Sequence, residues 1–179
     1  NYLIDNETTF LDTPEGLLPL SVFGEHNLSN LAGAQWISQF MGLDASKFFE
    51  SIPSFLGAAS RLECVFNGNT AKLFKDFAHS PSKVKATSKA IKQQFKDKKV
   101  VVCLELHTYS SLDIRFIHQY KNTLDDADEA IIFYDSVSLK IKNMESIKKD
   151  ILIDSLHMYD EIIIIGSGKG IASVDSIKK

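Results

Sequence analysis

Apolar and polar positions along the chain change rhythm near residue 60. Before it, residues 8–11 and 17–23 are two short apolar runs flanking Pro14-Glu15-Gly16. Pro presets one turn dihedral and Gly frees another, so this stretch predicts a hairpin or two edge strands. From His26 to Met41, Leu28, Ala32, Trp36 and Phe40 recur every four residues with Leu31 filling the same face, which predicts an amphipathic helix ended by Gly42. Asp44 is suited to cap a second short helix through Phe48, Phe49 and Ile52. Pro53 stops it, and residues 53–60, with Gly57, Ala58, Ala59 and Ser60, have the composition of a linker.

From Arg61 onward strand and helix patterns alternate. Residues 62–66 and 71–77, joined by Asn67-Gly68-Asn69, predict a hairpin, because Asn-Gly readily supplies the positive φ angles of tight turns. Ser80 and Pro81 open a helix with Val84, Thr87, Ile91 and Phe95 on one face and Lys83, Lys85, Lys89, Lys92 and Lys96 around the rest. The continuous apolar run 100–104 is the kind of strand a parallel sheet covers on both faces. A helix over about 111–124, a strand over 130–134, a helix from Met144 to about 156 and a strand over 162–165 follow. This alternation predicts an α/β fold with a doubly wound, mostly parallel sheet and right-handed crossovers. Ligands of such sheets bind beyond the carboxyl ends of the strands. That rule nominates Asp76 and His79, then Glu105, His107 and Tyr109, then Asp135, and last the loop Gly166-Ser167-Gly168-Lys169-Gly170.

Composition narrows the function classes. With 179 residues, 44% of them hydrophobic, the chain can bury one ordinary core and a smaller appendage. A net charge of −3 provides no basic field for nucleic acid or anionic lipid, and the lysine-rich helix reads as a solvated face. No apolar run approaches the roughly 18–20 residues of a membrane span. Cys64 and Cys103 stand apart from any CxxC or His-rich spacing, so neither a disulfide framework nor a metal site is expected, and a cytoplasmic setting fits. The chain opens at Asn1, without Met, and enters strand-like sequence at once, which suggests a piece of something longer. His118 and His157 have no matching acid or cysteine spacing and read as structural or exposed.

Four ordered motifs carry a family resemblance: GEHNLSN at 24–30, FLGAASRLE at 55–63, DFAHSP at 76–81 and LELHTYSSLD at 104–113. The chain resembles the Mur ligases of peptidoglycan precursor synthesis, above all the branch that adds L-alanine, or a recycled tripeptide, to UDP-N-acetylmuramate. The resemblance runs from about residue 17 to 135. It implies that residues 1–57 are the carboxyl-terminal part of the central ATP-binding domain, a small strand-helix remnant, and that residues 58–179 are the Rossmann-like carboxyl-terminal domain that binds the incoming amino acid or peptide. It implies ATP and Mg2+ as cofactors, both needing parts absent from this chain, with UDP-N-acetylmuramate and an amino acid or short peptide as substrates. Further partners would be the remaining Mur ligase domains; nucleic acid and membrane are not among them.

The family's chemistry activates a carboxylate as an acyl phosphate, which an amine then attacks, so positive charge must meet the moving phosphoryl group. The resemblance places Asn27 and Asn30 at the adenine side of the nucleotide, Arg61 on the phosphates, Asp76 on the ribose hydroxyls and His79 near the incoming amine, Arg61 and His79 serving as the catalytic pair. It places His107 and Tyr109 in the acceptor-binding turn. Together they describe half of an ATP site that closes across a domain boundary. Departures accompany the matches. Lys75 replaces a frequent acid, Ser80 a frequent second histidine, and Ser60-Arg61 a usual arginine pair. Thr108 and Ser111 stand where alanine-adding enzymes carry arginines for the amino-acid carboxylate, which makes a peptide acceptor plausible. No GxxxxGK[ST] occurs, so the chain alone is expected to be inactive.

Structural readings compete with each of these. Asn27 and Asn30 could solvate a helix start, Asp76 could cap the helix beginning near Ser80, and His79 could satisfy a buried carbonyl. Arg61 could be a surface linker residue, and the GSGKG loop lacks Walker or GxGxxG spacing and is explained by a sharp turn. The alternative function from another class is a non-catalytic nucleotide- or anion-binding Rossmann-like module.

Overall fold

The computed structural model describes residues 1–134, 136–144, 151–152 and 162–166. It divides into two compact units, the first made of Asn1–Ala78 with Lys89–Lys98, the second of His79–Ser88 with Lys99–Lys179.

The first unit opens on an antiparallel sheet of β1 (Tyr2–Asp5), β2 (Thr8–Thr13) and β3 (Gly16–Leu20) in that order. The anticipated hairpin around Pro14-Glu15 is β2–β3, with Thr13 paired to Gly16. The β1–β2 hairpin pairs the apolar run Tyr2-Leu3-Ile4 with β2, outside the two runs from which a hairpin is expected. It turns at Asn6 and Glu7, both left-handed at φ 46° and 58°, a two-residue geometry whose twist suits a hairpin.

Helix α1 (Glu25–Phe40) follows, then α2 (Ala45–Ser51) and a short 3-10 turn, Ile52–Ser54. Asp44 occupies the cap position of α2, but its side chain makes no capping hydrogen bond. Leu31 and Phe48 are buried with Leu20, and Leu28, Phe49 and Ile52 pack against them. The buried stripe of α1 differs from the expected one: Trp36 is 76% and Phe40 94% exposed. At about 100° per residue a four-residue spacing advances some 40° each step, so three steps carry the row about 120° around the helix. Leu28 therefore reaches the core and Phe40 does not.

Strands β4 (Glu63–Asn67) and β5 (Lys72–Lys75) form the expected hairpin as a separate two-stranded ribbon. Its turn is longer than Asn-Gly alone, with Gly68 N–H bonded to the Ala71 carbonyl at 2.9 Å, and neither Asn67 nor Gly68 has positive φ. A second core gathers Phe23, Leu62, Ala90 and Phe95 with Phe74 and Ile91. Phe23 meets Phe74 and Phe95 edge-on, ring centroids 5.5 and 5.8 Å apart, a favourable arrangement of ring quadrupoles.

Helix α3 (Pro81–Gln94) buries Val84 of the expected row, while Thr87 and Ile91 are half-buried and Ser88 and Ala90, which lie outside that row, are buried; it gives its first half to the second unit. There β6 (Val101–Leu106), β7 (Glu129–Tyr134) and β8 (Ile162–Gly166) form a parallel sheet in sequence order, and α4 (Ser136–Ile141) follows β7. The architecture is α/β with a parallel sheet, as the alternation predicts. No reversal of strand order occurs among these three strands, and β5 pairs outside their sheet.

The helix expected over 111–124 is not formed. Turns and a 3-10 segment, Ile117–Tyr120, take its place. Polar side chains capture the backbone there: Thr108 N–H donates to Ser111 Oγ and Ser111 N–H to Thr108 Oγ1, both at 3.0 Å, and Arg115 N–H donates to Asp113 Oδ1 at 2.8 Å. Such local bonds compete with a helical ladder. The apolar positions bury nonetheless, Leu112, Ile117, Tyr120 and Leu124 being at most 2% exposed. Of the helix expected from Met144, residues 151–152 are helical. Asp135, His157 and the loop residues 167–170 lie outside the described residues.

Candidate functional site

The aromatic core of the first unit explains how distant motifs meet. Phe23 precedes the first motif, Leu62 follows Arg61, and Phe74 lies two residues before Asp76; all three join one cluster. Burying them together brings the start of α1, the Arg61 segment and the end of β5 onto one scaffold.

At the start of α1, Gly24 takes φ 88°, and a Cβ there would stand 2.7 Å from the Ala90 Cβ. Only glycine fits both the left-handed backbone and that approach. Asn27 Nδ2 donates to the Phe23 carbonyl at 2.9 Å, so its amide nitrogen braces the helix entry and its Oδ1 remains as an acceptor. Asn30 sits one turn on and is exposed, with both amides on one helical face.

Arg61 lies between Ser60 and Leu62, which have φ of 54° and 51°. A left-handed backbone costs a residue with a Cβ about 1–2 kcal/mol, and two such residues bracket this arginine. Asp76 Oδ1 accepts from Leu62 N–H at 3.2 Å and from Phe77 N–H at 2.9 Å. Asp76 thereby holds the Arg61 segment. The Arg61 guanidinium is exposed, 5.9 Å from the Phe77 ring centroid, and among the described residues it pairs with no carboxylate. A planar, unneutralised guanidinium on a fixed backbone is a fitting phosphate ligand.

His26 was missed by the sequence reading, although it stands inside the first motif. It is half-buried, and its Nδ1 is buried with no hydrogen-bond partner among the described residues. Burial lowers its pKa below the usual 6.5, an effect the negative charge of Asp76 opposes.

His79, His107 and Tyr109 belong to the second unit. His107 follows β6 at its carboxyl end, and its ring lies 6.1 Å from that of His79, centroid to centroid. The His79 carbonyl accepts a hydrogen bond from Tyr120 Oη, which fixes the loop entering α3. Tyr109 is 66% exposed. Lys142, which no sequence signal marked, donates from Nζ to the His107 carbonyl at 3.0 Å and lies 4.4 Å from the Tyr109 ring centroid. The structure thus gathers Asn27, Asn30, Arg61 and Asp76 in one unit and His79, His107 and Tyr109 in the other. Among the described residues no three His, Cys, Asp or Glu side chains are grouped to hold a metal ion, and no helix is long and apolar enough to cross a membrane.

No family model matches the chain. It is 33% identical over 132 residues to a UDP-N-acetylmuramate–L-alanine ligase of Carboxydothermus hydrogenoformans, covering 74% of this chain and 28% of that one. Among solved structures it resembles the UDP-N-acetylmuramate-alanine ligase of Thermotoga maritima, with TM-score 0.71, 20% identity and coverage of 93% of this chain and 36% of that one. It also resembles a folylpolyglutamate synthase of Mycobacterium tuberculosis complexed with ADP, with TM-score 0.62, 16% identity and coverage of 93% and 37%. At these identities the structural likeness is one of fold. The chain spans between 28% and 37% of the length of these relatives.

Proposed function

This chain is homologous to Mur ligases over most of its length, and from that premise we propose that it is the acceptor-binding part of an ATP-dependent, ADP-forming amide ligase. The substrates are UDP-N-acetylmuramate and L-alanine or a short peptide, in cytoplasmic peptidoglycan precursor synthesis or recycling. Residues 1–57 end the central ATP-binding domain and residues 58–179 form the Rossmann-like, doubly wound carboxyl-terminal domain. The observation that carries the reading is the aromatic core of Phe23, Leu62 and Phe74, which gathers Asn27, Arg61 and Asp76 from three separate motifs.

In this reading Asn27 and Asn30 meet the adenine and Asp76 the ribose, while Arg61 meets the phosphates as charge moves between them. His79 lies near the attacking amine, and His107 and Tyr109 receive the rest of the acceptor. ATP supplies the phosphoryl group that activates the muramoyl carboxylate. Residues of the remaining Mur ligase domains would hold Mg2+, which would offset the phosphate charge, and the chain by itself does not turn over.

A graft tests this. Placed in the Carboxydothermus ligase in exchange for its matching segment, the chain is expected to give ADP release that requires UDP-N-acetylmuramate and an acceptor. Arg61→Ala should lower that release by an order of magnitude or more. A folded graft that releases no ADP with any acceptor, or releases it regardless of UDP-N-acetylmuramate, overturns the proposal.

A further inference from the structure

Lys142 is the C-cap residue of α4, and the helix end fixes where it points. Met144 N–H bonds to the Leu139 carbonyl at 2.9 Å and Asn143 N–H to the Lys140 carbonyl at 3.1 Å, with Asn143 left-handed at φ 51°. This is a Schellman closure, with Asn143 in the position that usually takes glycine. Leu139, 2% exposed, anchors the same turn in the core. A helix carboxyl terminus favours a cation, and here the cation is directed onto the turn after β6. Its ammonium spends one donor on the His107 carbonyl at 3.0 Å and covers the Tyr109 ring at 4.4 Å. Among the described residues no carboxylate lies within ion-pair distance of it.

We propose that Lys142 binds the carboxylate of the incoming amino acid or peptide, forming with His107 and Tyr109 an anion subsite at the carboxyl ends of β6 and β7. The assignment rests on the acceptor reading above and deepens it. The two parallel strands end at the same edge, Leu106 beside Tyr134, and the chain leaving β7 enters α4 within two residues. Lys142 and the His107–Tyr109 turn are therefore neighbours by topology as well as by contact. An ammonium carries three donors, and the two not given to His107 can donate to a carboxylate oxygen. The positions beside His107 hold Thr108 and Ser111, whose hydroxyls bond to each other at 2.9 Å and carry no charge. The charge for the carboxylate comes from a different element, as a point charge without the bidentate fork of arginine. Tyr109, two-thirds exposed, offers its ring to the apolar side of the same ligand.

The test is a titration of the 15N-labelled 179-residue chain, followed by amide shifts, with L-alanine and tri-L-alanine and with their carboxamide counterparts. The wild type is expected to bind one of the acids about tenfold tighter than its amide, the size of one charge-assisted hydrogen bond, with shifts at 107–109. Lys142→Met should erase the difference between acid and amide, and Lys142→Arg should retain it, both with the wild-type dispersion of other amides. An acid preference that survives in Lys142→Met overturns the assignment and leaves the acceptor reading standing. Equal weakening of acid and amide marks Lys142 as a packing residue and overturns it too. Absence of binding by any of the four ligands to the wild type overturns the acceptor reading and this assignment with it.

Discussion

The Asp76 carboxylate accepts the backbone N–H of Leu62 at 3.2 Å, tying the end of β5 to a left-handed residue fourteen positions earlier and thereby fixing Arg61. Removing the carboxylate leaves that N–H, on a residue only 8% exposed, without its acceptor. Asp76→Ala is expected to cost about 1–3 kcal/mol in urea or thermal unfolding. Asp76→Asn keeps an acceptor oxygen and should cost clearly less. In the grafted ligase, Asp76→Asn should still lower turnover about tenfold if the carboxylate also serves the ribose. Equal stability of the Ala variant and the wild type would show that the bond to Leu62 contributes nothing.

Gly24 offers a sharper steric test. Gly24→Ala meets both a backbone at φ 88° and the Ala90 Cβ at 2.7 Å. A stability loss of about 2 kcal/mol or more is expected from strain and overpacking together. The double variant Gly24→Ala with Ala90→Gly relieves the clash and should regain only part of the loss, since the dihedral cost stays. A melting temperature unchanged in Gly24→Ala would refute the close approach.

The buried hydroxyl of Thr9 donates to Gln94 Oε1 at 2.7 Å, while Gln94 Nε2 donates to the Glu7 carbonyl at 2.7 Å. This two-bond latch holds the first hairpin to the end of α3. Gln94→Ala should destabilise by about 2–3 kcal/mol by stranding both partners, and Thr9→Val by about 1 kcal/mol. Their double variant should cost less than the sum, because the first substitution already breaks the bond that the second removes. Strict additivity in denaturant melts would contradict the latch.

His26 sets a pH dependence whose sign follows from its burial. Its folded-state pKa is held below the ordinary 6.5 by burial, against the opposing charge of Asp76. Above pH 6.5 the imidazole is neutral in both folded and unfolded chains, and its full contribution to stability is present. As pH falls below 6.5 the unfolded chain takes up a proton that the folded one resists, so stability declines until the folded pKa is passed. His26→Gln should flatten the stability profile on the acid side of pH 6.5. An unchanged slope would place the titration elsewhere.

Legibility in the sequence depended on which interactions decide each element. The β2–β3 hairpin follows apolar spacing and turn chemistry, and the β4–β5 hairpin, α2, α3 and the strands β6 and β7 follow apolar spacing; the structure contains them. The segment 111–124 has the spacing of a helix, but Thr108, Ser111 and Asp113 offer the backbone nearer partners, and spacing carries no record of that competition. The β1–β2 hairpin was hidden because Asn6-Glu7 makes a left-handed turn without glycine. In the candidate site, the residues of the four motifs could be named from the sequence, and the structure gathers them into two groups. Lys142 could not be named, because only the closure of α4 brings it to His107, and closure of a helix end onto a strand 35 residues earlier has no local signature.

The outer face of α1 yields the last expectation. Trp36, Ile37, Phe40 and Met41 are 63–94% exposed and lie within two turns of one helix, an apolar patch of a kind that monomeric surfaces seldom leave open. The buried contacts of α1 run instead through Leu28 and Leu31, so polar residues on the outer face remove no packing. Trp36→Gln with Phe40→Lys should leave unfolding stability within about 0.5 kcal/mol of the wild type while lowering concentration-dependent association of this 179-residue chain, read by light scattering or sedimentation. Leu31→Ala on the buried side, by contrast, should cost about 2–5 kcal/mol. If the outer pair proves as costly as Leu31, the two faces of α1 have been assigned the wrong way round. If association is unchanged, the patch does not drive it.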